Sequence, residues 1–281
     1  MRIIIVGGSG FLGGELARRA VAAGHQVAAT YQTRPGRAEG AEWLELDVRD
    51  RAAVAGRIAA FGPDVVVNAA YRPADWTATA VGAAHVAGAV SGSGGQLVHV
   101  SSDAVFSGKA VVYAETSVPD PISPYGAAKA AAEVAVRAIV PAAAIVRTSL
   151  IIGDGGSSHE AFVHALAAGR EGVLFTDDVR CPVHVGDLAA ALLELAGPDA
   201  VGVHHVAGAD AVSRYELGCL VARRDGLDPA RLPAGRRAAT DLGGPLDVRL
   251  DCRLTQARLR TRLRGAREFL RPSPGQAGKR R

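Results

Sequence analysis

The sequence predicts an α/β protein whose main part is a doubly wound parallel sheet, followed by a smaller C-terminal α/β region. The chain opens with a β-branched run at residues 3–6 that stops at a glycine-rich turn and leads into a helix. Short apolar runs then alternate with helical segments as far as residue 150. Strands that are apolar throughout are typical of parallel sheets that helices cover on both faces.

The individual elements follow from the periodicity of apolar residues and from the positions of glycine, proline and small polar residues. We predict strands at residues 3–6, 26–30, 43–46, 64–68, 96–100, 143–146 and 203–206. We predict helices at residues 15–23, 51–61, 74–91, 124–140, 160–168, 185–195 and 214–223. Residues 271–281 are rich in Pro, Gly, Lys and Arg, which predicts a disordered tail.

The composition argues against several broad classes of protein. Of the 281 residues, 48% are hydrophobic and 21% are charged, and no apolar run approaches the roughly 18–20 residues of a membrane span. The apolar start is too short for a signal peptide, so we expect a cytoplasmic protein with no membrane partner. Cys181, Cys219 and Cys252 are widely separated and odd in number, which predicts neither a disulfide framework nor a metal site.

Arginines are concentrated near the C-terminal end of a chain whose net charge is +4. Clustered basic residues are found in nucleic-acid-binding proteins, but no aromatic residues interleave with these arginines. We therefore expect a solvated helix face here and no nucleic-acid partner. The residues concerned are Arg258, Arg260, Arg262, Arg264 and Arg267.

The first turn has the composition of a dinucleotide-binding site. Three glycines, each separated by two residues, follow a strand and open a helix, which is the beginning of a Rossmann unit. Residues without a Cβ let backbone N–H groups and a helix N-terminus approach a pyrophosphate. The predicted cofactor contacts in this turn are Gly7, Ser9, Gly10, Phe11, Leu12 and Gly13.

The end of the second strand favours NADPH over NADH. An acidic residue at this place binds the ribose 2′-hydroxyl of NAD, whereas arginine accommodates the 2′-phosphate of NADP. Here no acid closes the strand, and Arg34 and Arg37 are within reach. We therefore expect NADPH, with NADH as the alternative, and we expect Asp47 and Val48 to border the adenine.

A tyrosine and a lysine four residues apart predict the catalytic site. Only three of the 32 basic residues are lysines, so Lys129 after Tyr125 stands out in a chain that otherwise uses arginine. Residues four apart share one face of a helix. A nearby ammonium favours phenolate and lowers the pKa of tyrosine towards the range of an acid/base catalyst. Ser102, at the carboxyl end of a predicted strand, would supply a hydroxyl at the same edge of the sheet.

With these motifs the chain resembles an extended short-chain dehydrogenase/reductase, and within that superfamily the dTDP-4-dehydrorhamnose reductase branch. The resemblance covers residues 1–155 and extends more loosely to residues 182–188 and 204–208. Its motifs are Gly7-x-x-Gly10-x-x-Gly13, Asp47-Val48, Asn68-Ala69-Ala70-Tyr71, Ser102-Asp103-Ala104-Val105-Phe106 and Tyr125-x-x-x-Lys129.

The resemblance implies a role for each motif. Tyr125 would donate a proton to a carbonyl oxygen, Lys129 would bind the nicotinamide ribose and lower the pKa of Tyr125, and Ser102 would orient the carbonyl. The segment Asn68, Ala69, Ala70 and Tyr71 would pass along the cofactor. Residues 1–150 would form the NAD(P)-binding domain, and residues 151–270, partly interleaved with it, the substrate-binding region. The expected substrate contacts are Arg72, Asp103, Val105, Phe106 and Arg180.

Some positions depart from the family pattern. His85 stands about where such enzymes carry an asparagine that supports a proton-relay water, and it either replaces that residue or packs between helices. Ala104 replaces a common tyrosine, which predicts a different substrate pocket. Trp76 either contacts a planar substrate or belongs to the core. The C-terminal stretch 254–270 does not match the branch's usual ending.

The sequence therefore predicts an NADPH-dependent reductase of a keto group on a nucleotide-activated deoxysugar. One alternative is a sugar-nucleotide epimerase or dehydratase of the same superfamily. Another is a non-catalytic, cofactor-binding regulatory subunit, since a fold does not determine a function. We expect a small-molecule substrate, and we leave a homodimer open.

Overall fold

In the computed structural model, which describes residues 1–272, seven parallel strands form one central sheet in the order β7-β6-β5-β4-β1-β2-β3. This confirms the predicted Rossmann-type doubly wound sheet. The strand order reverses between β1 and β4, which opens a crevice at their carboxyl ends. The strands are β1 Arg2–Val6, β2 Gln26–Tyr31, β3 Glu42–Glu45, β4 Val65–Asn68, β5 Gln96–Ser102, β6 Ala144–Thr148 and β7 Gly202–Val206.

Helices cover both faces of this sheet. α1 and α6 bury apolar side chains against one face, and α2, α3 and α4 against the other. The helices are α1 Phe11–Ala22, α2 Arg51–Phe61, α3 Gly82–Ser93, α4 Pro124–Ile139, α5 Ser158–Ala167, α6 Val185–Glu194, α7 Arg214–Arg224, α8 Arg253–Gln256 and α9 Ala266–Phe269. α5 and α7 enclose a separate apolar cluster beyond the sheet.

β1 shows why the strands are apolar throughout. Ile3 and Ile5 lie in the core cluster of α1 and α6, while Ile4 and Val6 lie in the cluster on the opposite face. Successive side chains of a strand point to opposite faces, so a strand covered on both sides is apolar at every position.

Local sequence also places α4, the helix that carries Tyr125 and Lys129. The Ser123 side chain accepts a hydrogen bond from Gly126 N–H at 3.1 Å, and Pro124 occupies the first turn. A serine cap followed by proline is a strong helix start, because it satisfies a free N–H and supplies the helical φ in advance. The helix begins where predicted.

A buried ion pair connects α4 to β6. Arg147 Nη2 lies 2.8 Å from Glu133 Oε2, and the two side chains are 2% and 3% exposed. Ser101 donates its hydroxyl hydrogen to Glu133 Oε1 at 2.5 Å, and Arg147 also donates to the Ser117 carbonyl at 3.1 Å. A buried pair of this kind persists only when additional hydrogen bonds satisfy both partners.

Three predicted elements differ in the structure. α1 begins at Phe11 rather than residue 15, because helical backbone follows directly on Gly10. The predicted helix 74–91 begins as a π-helical turn, Thr77–Val81, before α3. The C-terminal arginines do not share a helix face, since residues 257–265 lie between the short helices α8 and α9, and Arg264 pairs with Asp187 at 2.8 Å.

Two further expectations concern membrane spans and the C-terminal tail. Among residues 1–272, no helix combines the length and apolar character that a membrane crossing requires. The predicted disordered tail 271–281 falls, from residue 273 onward, outside the described residues.

Replacing Glu133 by Gln should lower the free energy of unfolding by about 3–5 kcal/mol, because it leaves the Arg147 guanidinium buried without its counter-charge. Urea denaturation followed by circular dichroism measures the change. The double variant Glu133→Leu/Arg147→Met is the control and should recover part of the loss. If the double variant lost as much free energy of unfolding as the two single variants together, the loss in Glu133→Gln would not arise from the ion pair.

Candidate active site

The first cleft of the site lies at the carboxyl ends of β1, β2 and β4. Its volume is about 630 Å³. Of the predicted cofactor residues, the first cleft is lined by Gly7, Ser9, Gly10, Arg34, Asp47, Val48, Ala69, Ala70 and Tyr71. Asn68 lies beneath it, fully buried, and its Oδ1 accepts from Ala70 N–H at 3.2 Å, which shapes the turn after β4.

The glycine turn forms a cradle that side chains would fill. Gly7 has φ = +83°, and a Cβ there would come within 2.8 Å of the Ala70 backbone. Its N–H donates to Thr30 Oγ1 at 3.0 Å, and no side chain caps the start of α1 at Gly10. Open backbone N–H groups at a helix N-terminus attract anions. These residues fit the pyrophosphate of a dinucleotide.

The adenine end of the first cleft holds more basic than acidic groups. Arg49 lies 2.6 Å from Asp47 Oδ2, and its hydrogen bonds hold the pKa of Asp47 at about 2. Gln32 follows β2 at the position where NAD-binding proteins place an acid, and it donates to Asp47 at 3.0 Å. A neutral amide therefore occupies the position that an acid has in NAD-binding proteins, while Arg34 lines the cleft.

A second cleft, of about 520 Å³, continues from the first along β5 and β6. It is lined by the predicted catalytic residues Ser102, Tyr125 and Lys129, and also by Phe11, Leu12 and Gly13 from the start of α1. The structure therefore brings the three predicted catalytic side chains together at the carboxyl edge of the sheet. Gly7, Gly10, Ala69 and Tyr71 line both clefts.

Lys129 is held in a fixed position. Its Nζ donates to the Val100 carbonyl at 2.9 Å and lies 5.1 Å from the centre of the Tyr71 ring. The side chain is buried, and this burial lowers the pKa of Lys129 to about 8, against the opposing effect of Glu133. A buried ammonium loses hydration, which favours its neutral form.

The pKa of Tyr125 is raised, not lowered. Burial is the largest cause, Tyr71 and Asp103 contribute in the same direction, and a hydrogen bond with Ser102 opposes them. The expectation that Lys129 lowers this pKa is not met, because loss of hydration outweighs the other effects and the ammonium is engaged by Val100. A raised pKa favours the protonated phenol of Tyr125, which is the form that a proton donor requires.

The Ser-Asp-x-Val-Phe segment contributes less to the cleft than predicted. Ser102 and Ala104 line the second cleft, but Val105 and Phe106 are fully buried and do not. A 3₁₀ turn at residues 103–105 directs them inward, where Phe106 stacks on Tyr113 with ring centres 4.0 Å apart. Both therefore have a packing role beneath the site rather than contact with a substrate.

Asp103 is also buried, although it lies at the second cleft. Its Oδ2 accepts from Ser149 Oγ at 2.6 Å and lies 3.7 Å from Arg180 Nε. Ser102 Oγ donates to its other oxygen at 3.3 Å. Asp103 therefore connects Ser102, the predicted catalytic serine, to Arg180, the arginine predicted to bind substrate.

Three arginines of the second cleft surround one buried carboxylate beside it. Asp178 lies 2.9 Å from Arg180, 2.7 Å from Arg237 and 3.6 Å from Arg214. The three arginines line the cleft, so positive charge exceeds negative charge there. Arg180 was expected from the sequence. Arg214 and Arg237 were missed, because no local motif marks them.

An apolar pocket of about 230 Å³ adjoins the arginines. It lies between α5, α7 and residues 173–175 and shares His159 and Arg214 with the second cleft. Phe162, Leu174 and Phe175 supply aromatic and aliphatic walls.

Three other residues singled out in the sequence lie elsewhere. Arg72 lines the first cleft and not the second, so it lies in the cleft with the predicted cofactor residues and apart from the other predicted substrate contacts. His85 faces away from both clefts and bonds the Val48 carbonyl at 3.0 Å, which is the helix-packing alternative. Trp76 is 52% exposed, so it is not a core residue. Among the described residues, no group of three metal-ligating side chains occurs.

Comparison with known proteins agrees with this architecture. The chain is 34% identical over 250 residues to a dTDP-4-dehydrorhamnose reductase of Mycolicibacterium smegmatis, covering 83% of this chain and 72% of that protein. It is 31% identical over 233 residues to the Xenopus laevis methionine adenosyltransferase 2 subunit beta, covering 74% and 68%.

A solved structure, that of dTDP-4-dehydrorhamnose reductase from Bacillus anthracis in complex with NADP, superposes with a TM-score of 0.82 at 22% identity. It covers 96% of each chain, which shows the shared fold. The model of the RmlD substrate binding domain family matches residues 1–273 and confirms the resemblance drawn from the motifs. The chain belongs to the RmlD substrate binding domain family.

Proposed function

We propose that this protein uses NADPH to reduce a keto group, namely the 4-keto group of a nucleotide-activated deoxysugar such as dTDP-4-dehydrorhamnose. The observation that carries the proposal is the convergence of Ser102, Tyr125 and Lys129 in the second cleft, which continues from the first. A relative that is 34% identical bears the name of this reductase. In this proposal residues 1–150 bind the cofactor and residues 151–270 bind the substrate.

The residues of the first cleft would hold the cofactor. Bound NADPH supplies a hydride to the carbonyl carbon. Tyr125 donates its phenolic proton to the carbonyl oxygen, and its raised pKa keeps that proton in place until charge develops on the oxygen. Ser102, which lines the same cleft, orients the same oxygen. Lys129 binds the nicotinamide ribose, which is the other role that the family resemblance implies for it.

The arginine cluster and the apolar pocket support a sugar nucleotide as substrate. Guanidinium groups bind phosphate oxygens through paired, charge-assisted hydrogen bonds. Arg180, Arg214 and Arg237 offer such groups beside the catalytic residues, with Asp178 as their shared counter-charge. The adjoining pocket of about 230 Å³ offers apolar walls for the base. A sugar end at Tyr125 and a diphosphate at the arginines would fill the second cleft.

The proposed setting is the cytoplasm, and it is supported by three cysteines that are all unpaired. The proposal also includes a homodimer. The exposed apolar side chains of Val134 and Ile139 on α4 support it, and sedimentation velocity measures it.

A regulatory subunit is the second candidate function. The relative named methionine adenosyltransferase 2 subunit beta, at 31% identity, favours it, because that name denotes a subunit of another enzyme. The two candidates differ in one property. A subunit that only binds the cofactor needs no proton donor at Tyr125, whereas a reductase depends on it.

Replacing Tyr125 by Phe should lower kcat at least about 100-fold, because it removes the proton donor, and should leave NADPH affinity unchanged. NADPH oxidation with a 4-keto sugar nucleotide measures turnover, and calorimetry measures binding. Tyr113→Phe is the control, since that hydroxyl lies outside both clefts. Full turnover in Tyr125→Phe would exclude the proposed acid. Firm NADPH binding by the wild-type chain without turnover would favour the regulatory subunit.

Replacing Arg237 by Ala should raise KM for the sugar nucleotide roughly tenfold or more and change kcat less, because a charge-assisted contact to phosphate is lost. Arg236→Ala is the matched control, since its side chain is 73% exposed and does not line the cleft. Steady-state kinetics at saturating NADPH measures both constants. An equal effect of the two substitutions would argue against a specific role for Arg237.

Lys129 should make stability depend on pH. Its pKa is about 8 in the folded chain and 10.5 in the unfolded chain, so the unfolded chain binds more protons between these values. The stability of the wild-type chain, relative to Lys129→Met, should therefore rise by about 3 kcal/mol from pH 7 to pH 10.5. Urea denaturation across this range tests it, with Lys109→Met as the exposed control. Parallel curves for wild type and Lys129→Met would contradict the lowered pKa.

A further inference from the structure

Arg72 reaches across the first cleft from the loop after β4 towards the end of β2. Its Nη2 donates to Gln32 Oε1 at 2.5 Å. β2 and β4 lie on either side of β1, so the side chain spans the opening above the glycine turn. In a Rossmann fold the adenine ribose of a bound dinucleotide meets the residue that follows the second strand, which here is Gln32.

The backbone of Arg72 is held firmly while its side chain faces solvent. Thr79 Oγ1 donates to the Arg72 carbonyl at 2.7 Å and accepts from its N–H at 3.1 Å. Thr79 is 1% exposed and belongs to the π-helical turn Thr77–Val81. The position of the Arg72 backbone is therefore built into the fold, whereas its guanidinium is exposed and available to a ligand.

The carboxylates near this opening are already paired. Arg49 lies 2.6 Å from Asp47 and 3.4 Å from Asp75. Within residues 1–272, neither Arg34 nor Arg72 forms an ion pair, although both line the first cleft. Three guanidinium groups therefore face two carboxylates, and the surplus positive charge lies on Arg34 and Arg72.

We propose that Arg72 acts with Arg34 to bind the 2′-phosphate of NADPH, and that the neutral Gln32 keeps Arg72 available for it. The inference rests on the cofactor assigned under the proposed function. A phosphate dianion replaces the amide oxygen of Gln32 at the guanidinium, because charge-assisted hydrogen bonds are the stronger ones. A carboxylate at position 32 would hold Arg72 in an ion pair and repel the phosphate.

Arg72 is a specificity-determining residue in this account and not a catalytic one. It lines the first cleft, away from Ser102, Tyr125 and Lys129 in the second. Its loss should therefore change which nucleotide binds. This distinguishes it from a residue whose loss simply disturbs the site.

Calorimetric titration of the full chain with 2′,5′-ADP and with 5′-ADP tests the inference without turnover. The two probes differ only in the 2′-phosphate. Arg72→Leu should weaken 2′,5′-ADP binding by roughly 10- to 100-fold and leave 5′-ADP binding unchanged. Gln32→Glu should weaken 2′,5′-ADP and strengthen 5′-ADP, since a carboxylate accepts from the 2′-hydroxyl. Arg51→Leu is the matched control, because it removes an exposed charge outside the cleft.

Each outcome of the titrations supports or overturns the proposed role of Arg72. Wild-type affinity for 2′,5′-ADP in Arg72→Leu, or an equal loss for both probes, would overturn the role of Arg72 alone. Failure of the wild-type chain to bind either probe would overturn it together with the cofactor assignment. Selective loss of 2′,5′-ADP in Arg72→Leu would support it even if no keto substrate were ever turned over.

Discussion

The buried ion pair between Glu133 and Arg147 is the interaction on which the site depends. It joins α4 to β6 in the interior, where the two side chains are 3% and 2% exposed. Tyr125 and Lys129 lie two turns and one turn before Glu133 on the same helix. The ion pair therefore fixes the positions of Tyr125 and Lys129 relative to the carboxyl ends of the strands. Ser101 on β5 donates a hydrogen bond to the same carboxylate. One electrostatic contact thus aligns a helix with two strands that supply the site.

Much of the fold could be read from the sequence because its determinants are local. Each central strand is an apolar run whose alternate residues enter opposite cores, and a turn or cap marks where the next helix starts. The catalytic set could be predicted for the same reason. Tyr125 and Lys129 lie one helical turn apart, and Ser102 closes a strand whose neighbours in the sheet are also parallel.

The remainder of the site depends on contacts between distant parts of the chain. Arg180, Arg214 and Arg237 meet at Asp178 only after the C-terminal half has folded, and no spacing in the sequence marks them. The orientation of Phe106 depends on a three-residue 3₁₀ turn, which apolar periodicity does not reveal. The place of Arg72 depends on how far its loop reaches over β1, and that is a property of the sheet order.

The preference for arginine over lysine has a consequence for how the clefts respond to acidity. Arginine stays protonated in proteins at any ordinary pH, and backbone N–H groups do not titrate. The guanidinium and backbone N–H groups that line both clefts therefore attract anions without changing their own charge over the ordinary pH range. Among the basic side chains that line the two clefts in the described chain, Lys129 alone has a pKa, about 8, near neutrality. The protein thus lines its clefts with guanidinium and backbone N–H groups of constant charge and places beside Tyr125 a lysine whose charge changes near neutrality.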